Sequence, residues 1–318
     1  MKRFLLAFLL ATPIVVVHAE SEDPWLVLKK AAQAAHDLSY AGVFIYQSGE
    51  NVKSVQITHT NSGQGEYARV VVLDGTPREM LSQGSDVVIF SPKNEKVIME
   101  KRRAHNLFPA VLPVDIEHLK ASYQARIGGT ERVAGRDGRV VFLDPRDSLR
   151  YAYKFWADRE YGLLLKSLML NEQKQMLEKM AFSQVNMLED QGMDWFHPNV
   201  DHSKHYILEE ANAQPAQESS GWTVGALPAG YRKVEQVTRL VPGKTAPVTQ
   251  VIFTDGLASV SLFIEPLSKG IRPKIGQTSK GATNFYANVS KGHQILVVGE
   301  VPAATVAQIG SAVSFSSK

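Results

Sequence analysis

No cysteine occurs anywhere in this 318-residue chain. The absence excludes disulfides, thiol nucleophiles, redox pairs and cysteine-based zinc centres. Stability must then come from buried apolar surface, which a chain of this length can supply. The signatures of common catalytic sites are missing as well: there is no G-x-S-x-G elbow, no H-E-x-x-H pair, no Walker A loop and no EF-hand loop. Gly63-Gln64-Gly65 starts like a dinucleotide fingerprint, but the third glycine is absent and the segment feeds a strand, so it reads as a hairpin loop. Long hydrophobic runs are also scarce. The one near the start, Phe4–Val17, contains Pro13 and falls short of the roughly 20 residues that span a bilayer.

That run has the grammar of a secretory leader. Lys2 and Arg3 precede it, and Val17-His18-Ala19 supplies a small-x-small cleavage site. Residues 1–19 are therefore set aside as a signal peptide, and the missing cysteine rules out a lipoprotein anchor. The mature chain is expected to be soluble after cleavage, in a bacterial periplasm. Charge divides unevenly along it: residues 20–221 carry 23 basic and 28 acidic side chains, whereas residues 222–318 carry 10 basic and 4 acidic. A basic second part could meet the acidic first part or an anionic partner. Nucleic acid is an unsuitable partner for an exported protein with an acidic first domain.

The fold class reads as α+β. Asp23 and Pro24 open a helix whose Trp25, Leu28, Ala32, Ala35 and Leu38 share one face. Strands are expected at Gly42–Gln47, Val52–Thr58, Glu66–Asp74, Val87–Phe90 and Lys96–Glu100, then a helix at Val114–Tyr123. Four long strands follow between Arg139 and Asn186, punctuated by Pro145–Ser148, Asp158–Gly162 and Asn171–Lys174. Apolar residues stand on both faces of this series: Tyr151, Tyr153 and Phe155 share one parity while Trp156 takes the other. Such a sheet is either covered on both sides or encloses something apolar. The domains read as 20–205, a linker at 206–221 and 222–318. In the last of these Asp255-Gly256 marks a hairpin and Ala303–Val313 a closing helix.

Few residue clusters suggest chemistry. His197, His202 and His205 with Asp194 and Asp201 are the best metal candidate, yet their spacing and Pro198 fit no ligand set, so no metal is expected. Asp144, Arg146 and Asp147, and likewise Asp158, Arg159 and Glu160, are charges that turns collect for backbone reasons. Lys101, Arg102 and Arg103 form a compact basic run that could grip an anionic group. No cofactor is implied, and no catalytic residue is named.

Several segments carry a family resemblance: Ser39–Tyr46, Leu73–Glu79, Arg132–Gly135, Asp144–Asp147, Leu164–Asn171, Phe182–Asn186, Leu227–Tyr231, Asp255–Glu265 and Val298–Pro302. Taken in order, the chain resembles the RseB/MucB family, periplasmic negative regulators of an envelope-stress sigma factor of the sigma-E/AlgU type. The resemblance implies an N-terminal curved antiparallel half-barrel with packed helices, like that of lipoprotein carriers, and a smaller α+β C-terminal domain. It implies a non-enzyme that binds the periplasmic domain of an RseA/MucA-like anti-sigma factor and protects it from site-1 proteolysis. Lipopolysaccharide or acylated lipoprotein would trigger release, and a homo-oligomer is compatible with it. On that footing Phe44, Tyr46, Val71, Leu73, Tyr151, Tyr153, Phe155 and Phe182 are candidates for binding acyl chains, with the cavity-facing parity left open. Arg232, Lys233, Arg239 and Lys244 are candidates for gripping the anti-sigma segment. A periplasmic lipid or lipoprotein carrier is the alternative, distinguished by delivery of cargo to an acceptor membrane.

Overall fold

The structure is a computed structural model that describes residues 22–63, 65–91, 96–101, 107–189, 192–197, 207–210, 214–215, 221–239, 246–267, 270 and 272–316. The expected signal peptide at residues 1–19, Arg102, Arg103, Asp201, His202, His205 and Lys244 lie outside the described residues.

Helix α1 (Pro24–Asp37) begins as its sequence predicts: the Asp23 carboxylate accepts the Trp25 N–H at 2.9 Å, and Pro24 sits where no intrahelical donor is needed. Leu28, Ala31, Ala32 and Ala35 are buried on the face that meets the sheet. Six strands follow: β1 (Tyr40–Ser48), β2 (Asn51–Ser62), β3 (Gly65–Val72), β4 (Arg78–Gln83), β5 (Asp86–Ser91) and β6 (Lys96–Lys101). A single-turn helix α2 (Leu119–Ser122) leads into β7 (Tyr123–Val133), β8 (Arg136–Pro145), β9 (Ala152–Asp158), β10 (Leu164–Leu170) and β11 (Met176–Met187). With β12 (Ile207–Glu210) they form one curved sheet of 12 strands, ordered β12-β6-β5-β4-β3-β2-β1-β11-β10-β9-β8-β7. Two meanders thus meet at the β1–β11 pair. Neighbours are antiparallel except β12, which lies parallel to β6.

The expected helix at Val114–Tyr123 shrinks to α2. Asp115 Oδ1 accepts the Glu117 N–H at 3.1 Å, a local turn that competes with helical bonding. Tyr123, fully buried, already belongs to β7. β7 itself escapes a sequence reading because Gly128-Gly129 looks like a turn. The glycines instead form a bulge, and a Cβ on Gly128 would stand 2.8 Å from Val140 Cγ1. β4 escapes because its Glu79, paired with Arg69, is a buried charge where alternation calls for an apolar residue.

The second sheet comprises β13 (Gln214–Pro215), β15 (Arg232–Arg239), β16 (Val248–Thr254), β17 (Ser259–Pro266), β18 (Gly276–Lys280), β19 (Thr283–Ser290) and β20 (His293–Gly299). Its order is β13-β15-β16-β17-β20-β19-β18. A separate pair joins β14 (Trp222–Val224) to β21 (Val313–Phe315). Both β12 and β13 fall inside the segment read as linker. Helix α3 (Ala303–Ser311) buries Val306 and Ile309 against Val251, Val260, Leu262, Ile264, Ile295 and Val297. This core uses one face of the second sheet and leaves the other, with Ser259, Ser261, Phe263 and Val298, turned toward the first sheet.

The two sheets are joined through buried polar groups. Arg150, at the turn before β9, pairs with Asp255 at 3.0 Å, and both side chains are wholly excluded from solvent. Its guanidinium also bonds Asp147 and the Ala229 carbonyl, and lies 5.0 Å from the Tyr231 ring centroid. Tyr123 donates to Asp255 at 3.0 Å. Thr305 of α3 donates to the Leu149 carbonyl at 2.7 Å, and Asn284 of β19 donates to the Tyr151 hydroxyl at 3.1 Å.

Candidate binding site between the two sheets

Residues directly opposite in an antiparallel ladder share a face. The registers of β9, β10, β11 and β1 therefore set two rows on the inner face: Tyr153–Met169–Glu178–Ser48 and Phe155–Ser167–Met180–Tyr46. α1 and the segment around Phe108–Leu119 cover the neighbouring part of this face, where Phe44, Phe108 and Phe182 cluster with ring centroids 5.0–6.1 Å apart. Beyond them, the rows face the second sheet across a cavity of about 460 Å³. That volume lies within the roughly 300–1,000 Å³ of ordinary ligand sites. The first sheet contributes Tyr153, Phe155, Ser167, Met169, Glu178 and Met180; Val111 and Leu257 close the side nearest the Arg150–Asp255 pair.

The cavity mixes aromatic and aliphatic side chains with the hydroxyls of Ser167, Ser259, Ser261 and Thr283 and the carboxylates of Glu178 and Glu300. Burial first, and the Glu300 carboxylate second, push the Glu178 carboxyl up to about 7. Burial also pushes the Tyr46 phenol up to about 12, with help from Glu178. The fully buried Tyr123 and the partly buried Tyr153 are held well above the usual phenol range by burial and then by Asp255.

Of the residues proposed to hold acyl chains, Tyr153 and Phe155 line the cavity. Tyr46 stands in the adjoining position of the same row. Phe44 and Phe182 are packed in the core beside Phe108. Tyr151 is buried against Met169 and Ala282, where it bonds across to the second sheet. Val71 pairs with Gln56, on the face opposite Phe44, and Leu73 is exposed past the end of β3. Arg232 and Lys233 are exposed on β15, and Arg239 there donates to Gln250 at 2.9 Å; none of the three lines the cavity. Lys101 ends β6. Among the described residues no His, Asp and Glu group could hold a metal, and His197 is exposed.

Sequence reasoning passed over Glu178, Glu300, Ser167, Arg150 and Asp255. Asp255 was visible only as a hairpin residue, and nothing in spacing links it to Arg150. The outer face explains Trp156: its indole donates to Glu131 at 2.7 Å, while Lys166 and Lys154 sit 4.1 and 4.4 Å from its ring centroid. The sheet is thus covered on one side by α1 and the second sheet, and shielded on the other by its own charged side chains.

The cavity is walled by side chains from both large sheets, an arrangement suited to holding a ligand. The MucB/RseB N-terminal domain family matches residues 23–200, and the MucB/RseB C-terminal domain family matches residues 216–314. The chain belongs to the MucB/RseB family. A curated relative, the sigma factor AlgU regulatory protein MucB of Pseudomonas aeruginosa, is 29% identical over 310 residues, covering 96% of this chain and 94% of its own length. Among solved structures, MucB in complex with MucA(peri) is 26% identical, covers 93% of this chain and all of its own, and superposes with a TM-score of 0.75. MucB alone, also 26% identical, covers 92% of this chain and 98% of its own and gives 0.66. Relatives with these names are regulatory proteins rather than enzymes. No helix among the described residues is long and apolar enough to cross a membrane.

Proposed function

We propose that this protein is a periplasmic regulator that holds the periplasmic region of a membrane anti-sigma factor and shields it from the first protease that would cut it. The observation that carries the reading is the cavity between the two sheets, walled by both, with the buried Arg150–Asp255 pair joining the sheets. A polypeptide lying there contacts both domains, so its retention depends on how they are set. The likeness over 93% of the chain to MucB in complex with MucA(peri) supports a polypeptide partner of that kind.

Release follows when an acyl chain from lipopolysaccharide or a mislocalised lipoprotein enters the same apolar wall, with Tyr46, Tyr153 and Phe155 as its contacts. Coupling is differential affinity: lipid favours a domain setting that holds the peptide poorly. The test is capture of the purified anti-sigma periplasmic region by this chain, with and without lipopolysaccharide. Binding is expected without lipid and reduced with it. Undiminished capture at saturating lipid sinks the switch, and no capture in either arm sinks the regulator.

A further inference from the structure

Among the described residues that line the interdomain cavity, two are carboxylates and none is a cation. Glu178 projects from β11 of the first sheet, and Glu300 follows β20 of the second. Among the described residues neither forms an ion pair. Ser167, only 5% exposed, lines the same cavity from the row beside Glu178; its hydroxyl bonds no described residue, and its ladder partners Phe155 and Met180 both line the cavity. The partly buried Glu178 carboxylate, which the Tyr46 hydroxyl bonds, is repelled by the exposed Glu300 carboxylate. A cationic N–H donor relieves that repulsion and can also bond the Ser167 hydroxyl.

We propose that this cavity takes the side chain of a lysine or arginine, flanked by apolar residues, from the polypeptide that the protein holds. Glu178 and Glu300 grip the cation from the two domains, and the Ser167 hydroxyl accepts a further N–H. Tyr153, Phe155 and Met180 pack its stem and its apolar neighbours. The inference rests on the reading that a polypeptide occupies the cavity, and adds which residue type is read there. Because the two carboxylates come from different domains, the bound cation also ties the domains together.

The geometry sets a pH dependence. Around Glu178 stand the Tyr46 hydroxyl of β1, which bonds it, Tyr153 of β9 and the Glu300 carboxylate; Lys53 of β2, the exposed ladder partner of Tyr46, shares that face and does not line the cavity. Burial and Glu300 hold the free Glu178 carboxyl up at about 7, so below that it is mostly protonated. Taking a cation requires the carboxylate, so binding releases a proton and weakens as pH falls, by up to about tenfold per unit below the free value.

The experiment screens short random peptides on an array against the leader-free chain, then measures the best lysine-containing peptide and its norleucine counterpart by fluorescence anisotropy. Bound sequences are expected to be rich in Lys or Arg between apolar residues. Norleucine should weaken binding about tenfold, the scale of a close charge pair. In Glu178→Gln/Glu300→Gln the two peptides should bind alike, and the preference should also fade between about pH 8 and about pH 6. Glu300→Gln alone, at an exposed position, is the control for folding, and circular dichroism checks both variants. Equal affinity for lysine and norleucine on the unmodified chain, or a preference that survives in the double variant, overturns the proposal. Capture of the anti-sigma periplasmic region is scored separately, so its loss counts against the regulator reading, and capture by a lysine-blind cavity counts only against this one.

Discussion

Asp255 meets two demands at once. Its Oδ1 accepts the N–H groups of Leu257 and Ala258 at 3.0 and 2.9 Å and closes the β16–β17 turn, while Oδ2 faces Arg150 and Tyr123. Asn at this position keeps the turn acceptor and removes only the charge. Breaking a buried pair costs ~3–5 kcal/mol because the remaining ion is left uncompensated. Asp147 still pairs with Arg150, so Asp255→Asn is expected to lose about 3 kcal/mol, the lower end of that range. Urea unfolding measures it, and adding Arg150→Met should recover part of the loss. Glu66 carries a different residue-level effect. His36 of α1 and His59 of β2 bond its carboxylate at 3.0 and 3.3 Å and hold it well below its ordinary value of 4.5. A depressed folded value means stability that is present above the unfolded value and is lost as pH falls below it toward the folded one. The urea midpoint should therefore drop between about pH 5 and about pH 3, and Glu66→Gln should show a shallower drop over that window. Identical acid slopes would remove Glu66 from the account.

At the scale of elements, Gly310 in α3 shows how packing overrides propensity. Alanine in a helix is ordinarily favoured over glycine by about 1 kcal/mol. A Cβ at Gly310 would stand 2.3 Å from Tyr286 Cδ1, and that ring is tied to Ser311 through its hydroxyl at 3.2 Å. Overpacking a fixed ring costs ~1–3 kcal/mol, so Gly310→Ala should destabilise rather than stabilise, by about 1 kcal/mol. A raised melting temperature would show that α3 can slide on β19. The same competition decides what a sequence reader can see. Helix α1 and strands β8 to β11 are legible because cap, period and turn agree locally. β18, Gly276–Lys280, is exposed along its length and has no alternation to read, so only its pairing with β19 defines it. Tyr153 and Phe155 can be singled out as an aromatic parity. Ser167 and Glu178 cannot, because their common face with those rings arises from registers across three strands.

For the whole molecule, each sheet has its own core, yet Leu257 of the second packs on the core of the first and Thr305 anchors α3 to the Leu149 carbonyl. The opposite net charges of the two parts contribute little to this junction. Its ion pair is fully buried and so is screened far less by salt than surface charges are. Domain coupling then depends on a few short contacts, and a regulator that releases its partner by re-setting two walls needs that number to be small. Thr305→Val deletes one cross-sheet bond, and Tyr151→Phe deletes two, the acceptor of Asn284 and a long donation to the Ala282 carbonyl, at about 1 kcal/mol per variant with the shape kept. Asn284 keeps its second acceptor, the Val301 carbonyl at 2.8 Å. Calorimetry of the unmodified chain should show one cooperative transition, and the double variant should show two, the second sheet separating from the first. The double variant should also retain the anti-sigma periplasmic region less well, since a partner touching both walls loses one of them when they part. A single transition that merely moves to lower temperature, with retention unchanged, would mean that Arg150 and Asp255 alone hold the domains and that partner binding does not read their setting.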